Sequence, residues 1–411
     1  MNKFIKDQIN QLKPSATLAI NEKSNELKKS GKKVYKFGFG QSPFPIPESI
    51  ISALKSNAEK NVYLPMQGLE ELRSAIASYL NKNNSNNFVK EDIVIGPGTK
   101  ELMFLTQIAF QGEILLPAPS WVSYLPQALI AKNKVHWIQT SSSSNWFPTA
   151  EQLEEKIKSI GKKNLILFIN SPNNPSGTVC KNLREIANVA KKNKIIILSD
   201  EIYSELTFND QYKSISNFYP EGTIVSSGLS KWCGAGGWRL GFFAIPNSLK
   251  ELKNSLKILC SESFTSVSAP IQYAAIEAYK KDHSSYLNSV KKILYFTGNY
   301  VYENLKSNVI NITKPEGGFY LFPEFTNAKF SSSAEMCKDI LSKTGVALLP
   351  GSDFGVDSKI MFARLSYTDF DGAKFLKNTL GSKKLDDDSL KKYAPNIVDG
   401  VSKLKEWSNS L

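Results

Sequence analysis

The chain has 411 residues, 41% of them apolar, with 51 lysines and arginines against 38 acids and a formal net charge of +13. That length suits two domains with substantial cores, and no run approaches the ~18 apolar residues of a membrane span. The lysines are scattered among acids as on solvated helix faces, without a nucleic-acid-binding signature, so neither nucleic acid nor membrane is an expected partner.

The N-terminal MNKFIKDQINQLKP has lysines but no apolar stretch after them, so a secretory signal is not expected. Four cysteines (Cys180, Cys233, Cys260, Cys337) stand far apart without a CxxC pair. That spacing predicts reduced thiols and a cytoplasmic protein, not a disulfide framework or zinc site. The two histidines, His136 and His283, cannot make an HExxH motif, and no metal is expected. A proton carrier here would be lysine, tyrosine or carboxylate.

In chain order, FGFGQSPF (37–44) places Gly40 in a turn-like stretch, and NVYLPMQGLEELR (61–73) carries Tyr63 ahead of a helical pattern. DIVIG (92–96) is strand-like and runs into PGTKELMF, where Gly98, Thr99 and Lys100 open a helix. EILLP (113–117) leads to APSWVSY with Trp121, and NLILFIN (164–170) leads to SPNNPSGTV with Asn174 and Pro175. KIIILSD (194–200) ends at Asp200, followed by Tyr203; TIVSS (223–227) is followed by GLSK, and GFFAI spans 241–245. Amphipathic segments such as Ala150–Ile160 and Asn182–Lys192 lie between these runs.

Continuous apolar runs separated by helices predict a buried, mostly parallel sheet in an α/β domain over residues 46–290. Residues 1–45 and 291–411 hold helices and short strands (NVINIT, GGFYLFP, GVALLP, KIMFARLSY), which predict a smaller α+β domain built from both termini. The charged stretch Gly381–Asn396 reads as an exposed excursion.

SKWCGAGGWRLG (230–241) is the most informative segment. It sets Ser230 and Lys231 before a glycine-rich loop and Arg239, in a chain with only four arginines (Arg73, Arg184, Arg239, Arg364). A guanidinium fork holds phosphate or carboxylate bidentately, which an ammonium cannot. Ligands of open α/β sheets gather at the carboxyl ends of strands, where these residues fall. Singly, each also reads as a turn, a cap or a packing residue.

Together, in this order, they resemble the class I/II aminotransferases, the fold-type-I enzymes that use pyridoxal 5′-phosphate (PLP), over about Tyr35 to Ser366. The resemblance implies that Lys231 forms the Schiff base with PLP, that Asp200 pairs with the pyridine nitrogen, and that Tyr203 and Asn174 hydrogen-bond the phenolic oxygen. It gives Trp121 the ring face and Gly98, Thr99, Lys100, Ser230 and Arg239 the phosphate. Tyr63 would reach the phosphate of a neighbouring subunit, implying a homodimer with shared sites. Arg364 would grip the substrate α-carboxylate, which the backbone at Gly40 also meets, with Trp121 and Asn174 beside it.

The implied activity is transfer of an amino group between an L-amino acid and a 2-oxo acid. Lys100, which in some relatives meets a distal carboxylate, points to aspartate and glutamate as donors; alternatively it only adds charge beside the phosphate. A PLP-dependent C–S β-lyase and a non-catalytic PLP-fold binding protein are the alternative readings. The chain departs from the family at Gly228, where many relatives have serine, and at Trp232–Cys233–Gly234, which replace a small–aromatic–small run.

Overall fold

The computed structural model describes residues 4–10, 12, 16–83, 86–209, 212–379 and 385–411. Its centre is a seven-stranded sheet: β1 (Ile93–Gly96), β2 (Glu113–Ala118), β3 (Val135–Gln139), β4 (Leu165–Asn170), β5 (Ile196–Asp200), β6 (Thr223–Gly228) and β7 (Gly241–Ala244). The order is β1-β7-β6-β5-β4-β2-β3, with β7 antiparallel to both neighbours and every other pairing parallel. β3, from the mixed sequence VHWIQ, is an edge strand that the apolar-run reading did not mark; it has one neighbour and is only partly buried.

Alternation along the central strands explains why they read as unbroken apolar runs. On β4, Leu165, Leu167 and Ile169 face one core while Ile166 and Phe168 face another. Side chains alternate across a strand, so a sheet covered by helices on both faces needs apolar residues at every position. Helices Ala150–Ile160 and Leu183–Lys192 cover the first face; Thr99–Ala109, Tyr124–Ile130 and Lys250–Ser263 cover the second. Thr149 caps the helix Ala150–Ile160 by accepting from Gln152 N, with the Gln152 side chain returning the bond.

A second layer is built from short strands: β8 (Ile310–Asn311), β9 (Tyr320–Leu321), β10 (Glu324–Phe325), β11 (Leu349–Pro350) and β12 (Ala363–Ser366). β12 lies between β9 and β11, antiparallel to both. The N-terminal part joins it through a Tyr35–Val346 bridge and the Ser366 N–H donating to Phe37 O at 2.7 Å. Helix Ser284–Leu305 runs unbroken past residue 290 and packs on helix Pro395–Asn409.

The charged stretch at 381–396 is, where described, mostly exposed or half-buried as expected, but it is anchored to the core at two positions, residues 381–384 lying outside the described set. Asp386 caps a helix Asp387–Tyr393 that buries Leu390 in the main core, and Ala394 is buried with it. One leucine at the inward helical position outweighs the polar composition around it. Among the described residues no helix is long and apolar enough to cross a membrane.

Candidate active site

The carboxyl ends of β4, β5 and β6 open toward the second layer, and their last residues organise the site. Asn170 ends β4; its Nδ2 donates to Asp200 O at 2.9 Å and its Oδ1 accepts from Asn174 N at 2.7 Å, which fixes the turn carrying Asn174. Asp200 ends β5, buried, with its carboxylate accepting from the Tyr124 hydroxyl at 2.7 Å and Ile202 N–H at 3.3 Å. Burial pushes this carboxyl up to about 6, although both hydrogen bonds and the charge of Lys231 pull it down. A cation directly against it would restore full ionisation.

Lys231 follows the turn after β6, with Nζ donating to Gly40 O at 3.1 Å and lying 5.6 Å from the ring centres of Tyr203 and Phe319. The Tyr203 hydroxyl is 3.1 Å from the Tyr320 hydroxyl.

Beside them lies a cradle suited to a multiply charged anion. Gly98, at φ +88°, caps the helix Thr99–Ala109, whose first N–H groups have no intrahelical acceptor. A Cβ on Gly98 would overlap the Arg239 guanidinium, and one on Gly241 would fall 2.6 Å from Thr99 N. Arg239 itself holds φ +55°, a left-handed conformation that non-glycine residues rarely adopt. Its guanidinium donates to Gly236 O at 2.8 Å and Pro97 O at 3.4 Å, both carbonyls, and among the described residues no carboxylate pairs with it.

Lys100 Nζ lies 5.2 Å over the Trp121 ring, and Trp121 meets Tyr124 edge-on at 5.3 Å. Burial, then repulsion from Arg239 and Lys231, lowers the Lys100 pKa. Three cations thus converge where Asp200 is the nearby carboxylate. The Ser230 hydroxyl has no hydrogen-bond partner among the described residues.

Arg364, on β12, is 2% exposed. Its Nη1 donates to Asn174 Oδ1 at 3.0 Å and its Nη2 to Gly38 O at 2.7 Å, while Nε–H has no partner. The guanidinium carbon lies 4.7 Å over the Tyr320 ring and 5.2 Å from the Phe354 ring centre. Burial lowers its pKa. An unpaired donor on a buried guanidinium fits a carboxylate arriving from outside. The bond from Arg364 also orients the Asn174 amide, leaving Nδ2 to donate elsewhere.

The residues singled out from sequence therefore gather around Lys231 with one exception. Tyr63 is 85% exposed, on a loop tied to β1 by Ile95 N–H donating to Gln67 O at 3.0 Å. Arg73 and Arg184 lie apart: Arg73 donates to Gly68 O and Lys90 O, and Arg184 stacks on Phe218. Two buried tyrosines were not singled out. Tyr124 holds Asp200, and Tyr320 sits between Tyr203, Gly40 and Arg364. Both lie within quoted segments (APSWVSY and GGFYLFP), but neither has a local signal separating it from a core aromatic.

The donor set fits PLP: an amine for the aldehyde, a buried carboxylate for a ring-nitrogen cation, a helix start with Arg239 for phosphate, and Trp121 for the ring. The sequence pattern of the family "Aminotransferase class I and II" matches residues 32–375. The chain is 33% identical over 383 residues to the aspartate aminotransferase of Bacillus sp. (strain YM-2), covering 89% of this chain and 95% of that one. It is 33% identical over 384 residues to the protein named probable aspartate/prephenate aminotransferase of Aquifex aeolicus (strain VF5), covering 89% and 95%. Among solved structures, the aspartate aminotransferase from Thermus thermophilus with maleate superposes with a TM-score of 0.85 at 25% identity, covering 98% of this chain and all of that one.

The chain belongs to the class I and II aminotransferases. It is a PLP-dependent transaminase of fold type I, acting on amino acids and 2-oxo acids.

Proposed function

We propose that this transaminase takes acidic donors, aspartate and glutamate, and works in the cytoplasm as a homodimer with shared sites. The observation that carries the substrate reading is Lys100, a partly desolvated ammonium beside Trp121, within electrostatic reach of Arg239 and Lys231. An ammonium there gives a second carboxylate a partner, while Arg364 takes the first through its unpaired Nε–H. The names of the Bacillus and Aquifex relatives, and the dicarboxylate maleate in the Thermus structure, favour the same substrate class.

When bound, PLP supplies the electron-withdrawing ring that makes the substrate Cα proton removable. The protein's own residues do the rest. Asp200 would hold a proton on the ring nitrogen, Tyr203 Oη and Asn174 Nδ2 would donate to the ring oxygen, and Trp121 would cover the ring. Gly98, Thr99, Ser230 and Arg239 would hold the phosphate. Arg364 and the backbone around Gly40 orient the α-carboxylate so that the Cα–H bond faces Lys231. Lys231 Nζ would take that proton from Cα and deliver it to C4′ of the cofactor. The dimer reading rests on Tyr63, whose exposed phenol bonds to none of the described residues. Four buried free thiols favour a reducing compartment.

A donor panel with 2-oxoglutarate tests the substrate reading. Lys100→Ala should lower kcat/KM for aspartate about tenfold, roughly 1.4 kcal/mol, and leave alanine and phenylalanine nearly unchanged. An equal loss for every donor would assign Lys100 to the cofactor and withdraw the preference for acidic donors.

A further inference from the structure

Tyr320 has the geometry of a working hydroxyl. It is 2% exposed on β9, with its register set by Ser366 of β12 directly opposite. Its Oη lies 3.1 Å from Tyr203 Oη and 3.4 Å from Gly40 O, the carbonyl that also receives Lys231 Nζ at 3.1 Å. Its ring is edge-on to the Tyr203 ring, centres 5.8 Å apart. Two glycines make room for it: a Cβ on Gly40 would overlap its hydroxyl and ring edge, and one on Gly177 would overlap its carbonyl.

Protons and distances together decide what this hydroxyl does. Each phenol has one proton and Gly40 O can only accept, so Tyr320 gives its proton either to Gly40 O at 3.4 Å or to Tyr203 Oη at 3.1 Å. The shorter contact, and the Lys231 Nζ already donating to Gly40 O, favour Tyr203. If Tyr203 gave its proton to Tyr320, none would remain for a ligand. With Tyr203 donating to the cofactor's ring oxygen, the acceptor side of Tyr203 Oη is open to Tyr320.

We propose that Tyr320 is a positioning residue that donates to Tyr203 Oη, directing the Tyr203 proton onto the ring oxygen of PLP. This rests on the assignment of Tyr203 to that oxygen made above. A donor on the far side of a phenol polarises its O–H, so the bond to the ring oxygen strengthens. A ring oxygen held more firmly as an anion shares less in the proton of the neighbouring lysine–cofactor link. That proton therefore leaves at lower pH than it would without Tyr320.

The test is a pH titration of the visible absorbance of purified holoenzyme. Tyr320→Phe should raise the midpoint by about 0.4 unit, with cofactor content unchanged. In a Tyr203→Phe background, adding Tyr320→Phe should move the midpoint no further. Should Tyr320→Phe lose the cofactor, 3-fluorotyrosine at position 320, a stronger donor, should move the midpoint the opposite way. An unmoved midpoint, or an equal shift with and without the Tyr203 hydroxyl, would overturn the proposal. A Tyr203→Phe midpoint equal to wild type would instead remove the assignment of Tyr203, and this proposal with it.

Discussion

Arg364 Nη1 donates to Asn174 Oδ1 at 3.0 Å across 190 residues of sequence. This bond ties the second layer to the turn after β4, and it fixes which way the Asn174 amide faces. A residue proposed for the substrate carboxylate thus also orients one proposed for the cofactor ring. Arg364→Lys keeps a charge but cannot reach Asn174, Gly38 and a carboxylate at once. Substrate binding should weaken by about 2–3 kcal/mol, roughly 30- to 150-fold in kcat/KM. Cofactor content, read from absorbance, should stay near one per chain.

The cradle proposed for the phosphate makes a sharper demand on backbone. Gly98 combines φ +88° with a Cβ direction filled by the Arg239 guanidinium. Gly98→Ala should therefore displace Arg239 and weaken PLP binding about tenfold or more, the cost of one charge-assisted contact with added strain. Equilibrium titration of cofactor-free protein with PLP measures it, and the strain should also lower the melting temperature of the cofactor-free protein by about 1–3 °C.

The motifs at strand ends made much of this site legible in sequence, because a ligand-binding turn needs particular residues at adjacent positions. Lys231 with Arg239, and Asp200 with Tyr203, announce themselves this way. Tyr124 and Tyr320 did not, since a tyrosine in an apolar run looks the same whether its hydroxyl is used or merely tolerated. β3 escaped because a half-exposed edge strand lacks the apolar continuity that marked β4 and β5. The helix Asp387–Tyr393 escaped because its single inward leucine is hidden among charges.

Buried acids next to the site give the protein a pH dependence of its own. Glu201 follows Asp200, accepts from Ser199 at 2.8 Å and from Ser214, and burial raises its carboxyl to about 7. A raised carboxyl contributes stability that is full below its unfolded value near 4.5 and is lost as pH rises through 7. Asp200 acts in the same direction with its own value of about 6. Cofactor-free protein should melt at lower temperature at pH 8 than at pH 6. Glu201→Gln should remove about 1 kcal/mol of that difference, about 1–2 °C by calorimetry.

Shared sites require complementation. A Lys231→Ala subunit and a Tyr63→Ala subunit, each impaired alone, should regain activity when mixed, because one site of the hybrid has both residues intact. Light scattering should give twice the chain mass of 45.8 kDa. A fully active monomer would contradict the assignment of Tyr63.

Everything proposed for this site turns on one covalent bond. Borohydride reduction of the purified holoenzyme, followed by digestion and peptide mapping, should place a single pyridoxyl group on Lys231, in the peptide containing SKWCGAGGWR. A label on any of the other lysines, or no label on protein that retains PLP, would contradict the account.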